Sequence, residues 1–110
     1  MSEQLQKSTA CFKFNGGISV GPKWWWTLNL PWPIGAIEIS NAQIAVSYLG
    51  ARQVFERENV TCLELVRRFL ITGVQLKHTE QSNSKFVLFS TLAAKRVLAH
   101  AEYLGYPVKS

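Results

Sequence analysis

Aspartate is absent from this 110-residue chain, whose seven acidic residues are all glutamate. A hydrolytic triad needs a positioned Ser or Cys, a His and an acid, and no aspartate is present to serve as that acid. Cysteine is scarce. Cys11 and Cys62 lie far apart in a sequence without secretory features, so both are expected as free, buried thiols filling small core sites. With His78 and His100 they offer enough donor atoms for zinc, but no pair has a ligand spacing such as Cys-x2-Cys. His78 is expected at a strand end with one ring hydrogen bond, and His100 on the polar flank of a helix. No metal, no cofactor and no catalytic residue is expected.

Long apolar runs are also missing. The longest uncharged stretch, Trp24 to Ile37, falls short of the ~20 residues of a spanning helix, and Pro31 and Pro33 interrupt it. Met1 to Lys7 is polar, unlike a signal peptide, so a cytoplasmic location is expected and the Asn59-Val60-Thr61 sequon is expected to stay unused. Hydrophobic residues make up 47% and charged residues 17%, which excludes intrinsic disorder. The length suits one domain able to bury roughly two-thirds of its unfolded surface. Twelve Lys and Arg give a net charge of +5, spread along the chain and compatible with an anionic partner without demanding one.

Residues 1–9 are polar and unpatterned, a flexible N-terminus, and 10–110 form a single domain. Short strand-like runs follow, separated by turn residues. Cys11 to Phe14 alternates, Asn15-Gly16-Gly17 predicts a turn, and Ile18 to Val20 alternates until Gly21-Pro22. Gly16 to Lys23 fails as a phosphate loop because Pro22 precedes the lysine and Trp24 follows it. Trp24-Trp25-Trp26 is β-prone, and Pro31, Pro33 and Gly35 make the next segment irregular or an edge. Ile37 and Ile39, a turn at Ser40-Asn41-Ala42, then Ile44, Val46 and Tyr48 predict a hairpin. Further strands are expected around Gln53 to Phe55, Val60 to Leu65, Val74 to His78 and Phe86 to Phe89. A polar bend at Glu56 to Asn59, a turn at Ile71-Thr72-Gly73 and a polar loop at Glu80 to Ser84 separate them. From residue 90 the period changes. Ser90 or Thr91 suits an N-cap, Ala94, Val97, Leu98, Ala101 and Leu104 form an apolar stripe, and Gly105 and Pro107 end the helix. The expected fold is α+β: a strongly bent antiparallel sheet or small barrel of about seven strands, capped by one C-terminal amphipathic helix.

That order of parts resembles the pleckstrin-homology (PH) superfold, and particular residues sharpen the likeness. Leu28-Asn29-Leu30-Pro31-Trp32-Pro33 leads into Ala36-Ile37-Glu38-Ile39. Phe55-Glu56-Arg57-Glu58-Asn59-Val60 is an aromatic and charged bend ending in Val. Gly73-Val74-Gln75-Leu76-Lys77-His78, Phe86-Val87-Leu88-Phe89, Val97-Leu98 and Gly105-Tyr106 follow in turn. In this shared order, over about residues 24–108, the chain resembles small bacterial PH-like proteins of uncharacterised function. The resemblance implies the fold and brings no enzyme activity and no catalytic or ligand residues.

The candidate interaction surface is Trp24, Trp25 and Trp26 with Arg67 and Arg68. Three consecutive tryptophans place rings on both faces of a strand, so one face must meet the N-terminal strands or another subunit. Arg67-Arg68 is expected in a connecting turn as ordinary solvated charge, so nucleic-acid binding is not expected. A specific phosphoinositide site is not expected either, because Lys13 and Lys23 do not converge as a basic cage requires. The functional expectation is a non-catalytic interaction or scaffolding module for an unidentified protein partner or a second copy. A peripheral membrane module with weak membrane contact is the alternative, and a small enzyme with a hidden site the third reading.

Overall fold

Alternating apolar residues along the chain build a single mixed sheet, seen in a computed structural model that describes residues 11–23, 26–68 and 71–109. Its strands are β1 (Cys11–Lys23), β2 (Trp26–Ser40), β3 (Gln43–Tyr48), β4 (Ala51–Glu56), β5 (Val60–Arg68), β6 (Ile71–His78), β7 (Phe86–Ser90) and β8 (Val108–Lys109). A 3-10 turn (Arg57–Asn59) joins β4 to β5, and an α-helix, α1 (Ala94–Tyr103), precedes the last strand. The order across the sheet is β4-β3-β2-β1-β7-β6-β5-β8, antiparallel except where β8 lies parallel to β5. The sheet does not close into a barrel, for β4 and β8 end it on opposite sides. The expected flexible terminus at 1–9 falls outside the described residues.

The expected hairpin is present. Ile39 pairs with Ile44 and Ile37 with Val46, and all four are buried on one face. Two expected turns are not turns. Asn15-Gly16-Gly17 lies inside β1, which continues from its pairing with the C-terminal half of β2 into a pairing with β7. The glycines serve close approach rather than reversal: a Cβ on Gly16 would strike the Ser90 carbonyl and the Phe89 ring. Ile71-Thr72-Gly73 likewise belongs to β6, where Gly73 pairs with both Val66 and Ser90. The Pro31–Pro33 segment is irregular as expected. Gly16 pairs with Gly35 and Ile18 with Leu30, so residues 31–34 of β2 stand opposite the single residue Gly17 and bulge outward, all exposed.

The core is one cluster. Ile18, Ile37, Ile39, Ile44, Phe55, Leu63, Val74, Leu76 and Phe89 come from the strands, and Ala94, Val97, Leu98 and Ala101 from α1. The helix begins without a side-chain cap at Ala93, although the Thr91 hydroxyl accepts the Ala93 N–H at 3.0 Å. Its end follows the sequence closely. Gly105 has φ 89°, its N–H donates to Glu102 O at 2.9 Å, and the Tyr106 N–H donates to Ala101 O at 3.0 Å. These are the two bonds of a Schellman ending. Neither cysteine is a core filler. Cys11 is exposed at the start of β1, and Leu63 takes the core face of β5, which turns Cys62 to the other side.

Candidate functional site

Among the described residues, a sheet edge and an apolar hollow could receive a partner strand or side chain. The middle of the β4 edge is already occupied. The Asn83 side-chain amide donates to Val54 O at 2.6 Å, and the Ser84 N–H donates to Gln53 Oε1 at 2.8 Å. His78 holds that loop in place. It accepts the Glu80 N–H at Nδ1, 3.0 Å away, which leaves Nε2–H to donate to Ser84 O at 2.8 Å. Its ring also packs 4.4 Å from Phe55. The ring thus makes two hydrogen bonds rather than the single one expected. At the opposite edge the two-residue β8 pairs only with Leu63 and Glu64, so among the described residues Leu65 to Arg68 of β5 have no strand on their outer side.

The hollow is a groove of about 740 Å³ on the outer side of the sheet. Its floor is built from small residues, Gly17, Ser19 and Ser90, which face away from the core because Ile18 and Phe89 take the core side. One wall is the β2 bulge at Pro31 and Trp32, and the other is the β7–α1 connection at Leu92. Trp32 is 71% exposed and Leu92 fully so, far beyond what a residue contributing to the core would show. Thr72, Thr91 and Asn29 add hydroxyl and amide groups. Of the described residues that line the groove, none is titratable. Among the described residues, no three His, Cys, Asp or Glu side chains gather as a metal ion would require.

Of the expected surface, Trp24 and Trp25 lie outside the described residues, and Trp26 is described only through its backbone pairing with Lys23. Arg67 and Arg68 are on β5 rather than in a turn, because that strand stays paired to its last residue, Arg68 opposite Ile71. Arg67 is exposed and pairs with Thr72, a residue of the groove. His100 is not on a solvated flank. It stacks 4.1 Å from the Phe12 ring and lies 5.4 Å from that of Phe14. Arg57 pairs with neither neighbouring glutamate. It donates to Asn41 O at 2.8 Å and lies 4.6 Å over the Tyr106 ring, while Glu56 and Glu58 are exposed.

Trp32 and Leu92 were not singled out in the sequence, though each leaves a trace there. Trp32 stands between two prolines that cannot donate to a ladder, and Leu92 falls off the spacing of the helix stripe. Neither a family model nor a curated protein matches the chain.

Proposed function

We propose that this chain is a non-catalytic interaction module of PH-like architecture, and that its protein partner docks on the Trp32–Leu92 groove. The observation that carries the reading is the exposed apolar pair, Trp32 and Leu92, standing over a floor of small residues while the middle of the β4 edge is covered. Exposed aromatic rings beside a concave surface are the usual anchors of recognition. The PH-like part rests on an antiparallel run of seven strands, β4-β3-β2-β1-β7-β6-β5, and a C-terminal helix, the order of parts on which the sequence resemblance stands. The non-catalytic part draws support from the described lining of the groove, which offers hydroxyls and an amide but no acid or base.

Parallel affinity capture with the parent chain and a Trp32→Ala/Leu92→Ser double variant tests this. A partner protein held by the parent and lost by the variant is the expected result. A partner held equally by both places the docking surface elsewhere and contradicts the assignment.

A further inference from the structure

The chemistry of the partner follows from charge, and it rests on the interaction reading above. Every described residue lining the groove falls within residues 4–37, 65–79 or 81–101, three stretches of the sequence that contain no acid. Cations adjoin lining residues in the sheet or along the chain instead. Arg67 is directly opposite Thr72 across the β5–β6 pair and so shares its face of the sheet. Lys95 and Arg96 follow Leu92 and Ala93 into the first turn of α1, where both are exposed. Among the described residues none of these three pairs with a carboxylate, whereas Lys13 and Arg52 share Glu38 and Lys77 holds Glu64 at 2.7 Å.

A neutral groove with apolar walls and a cationic rim complements a ligand that is apolar at its centre and anionic around it. A second copy of this chain docking through the same patch would set Arg67, Lys95 and Arg96 against their own images. A bilayer would reach Trp32 and Leu92 but leave the floor between them empty. We infer that the groove takes a short acidic peptide segment, a large apolar side chain seated between Trp32 and Leu92 and carboxylates facing Arg67, Lys95 and Arg96.

A display library of random short peptides, panned on the parent chain, tests this directly. The expected enrichment is for peptides with Glu or Asp flanking Leu, Phe or Trp. Binding of the enriched peptides should weaken about tenfold or more in Leu92→Ser and in the charge reversal Arg67→Glu/Lys95→Glu/Arg96→Glu, and should fall with added salt. All the substituted residues are exposed, so melting curves near the parent's will show that the fold is intact. Enriched peptides that lack acidic bias, or that bind the variants as well as the parent, overturn the inference while leaving an interaction module standing. A library without enrichment also overturns it. If phosphatidylserine vesicles then bind the parent and not the variants, the interaction reading fails with it.

Discussion

Tyr106 ties the end of α1 to the far side of the sheet. Its hydroxyl donates to Ser40 O at 2.6 Å, and Arg57 lies over its ring while holding Asn41 O. Replacing Tyr106 by Phe keeps the ring and removes one hydrogen bond, so about 1 kcal/mol of stability should be lost, measured by urea unfolding. The same residue sets a pH dependence. Burial pushes the Tyr106 hydroxyl above its ordinary value of 10.0, more than the nearby Arg57 pulls it down. Between the two values the folded protein keeps a proton that the unfolded chain has released, so stability falls as pH rises. Tyr106 contributes fully below about pH 10 and loses ground above it. The urea midpoint of the parent should therefore drop more steeply than that of Tyr106→Phe over that alkaline range. Equal slopes would contradict the assignment.

The helix and the β1 bend decide how the elements fit. Leu98 is 4% exposed between α1 and the strands, and Leu98→Ala should cost ~2–5 kcal/mol, seen as a large drop in melting temperature. An unchanged melt would contradict the helix as part of the core. Gly16→Ala should cost about 1–3 kcal/mol by forcing β1 away from the Ser90 carbonyl and the Phe89 ring, checked by the same melts. These two elements also mark what the sequence could disclose. The helix was legible because its signals are local: a stripe at i, i+3, i+4 and a glycine at the stop. The Ile37–Val46 hairpin was legible for the same reason, from alternation and a short polar turn. Asn15-Gly16-Gly17 carries a turn signal that long-range pairing overrides. Whether glycines reverse a chain or let another strand approach depends on Ser90 and Phe89, more than 70 positions away. The groove was hidden for a related reason. Its walls come from a bulge in β2 and a helix entry, brought together by the β1–β7 pairing, and Trp24 to Trp26 drew the reading to a neighbouring segment.

Across the whole molecule, a net charge of +5 will draw the protein to anionic surfaces without giving it selectivity. The cations outside the groove are dispersed, and several already neutralise glutamates. Vesicle binding should therefore be weak, indifferent to headgroup and lost by roughly 0.3 M salt, as sedimentation with anionic vesicles can check. Headgroup-selective binding that survives such salt would favour a membrane module instead. The central claim is narrower: recognition runs through Trp32 and Leu92. Both are exposed, so replacing them should leave the fold nearly as stable as the parent, with melting temperatures within about 4 °C. The most direct measurement is a calorimetric titration of the captured partner into the parent and into Trp32→Ala/Leu92→Ser, side by side. The account predicts a Kd weakened by about tenfold or more in a variant that melts like the parent. An equal Kd for the two proteins would contradict it.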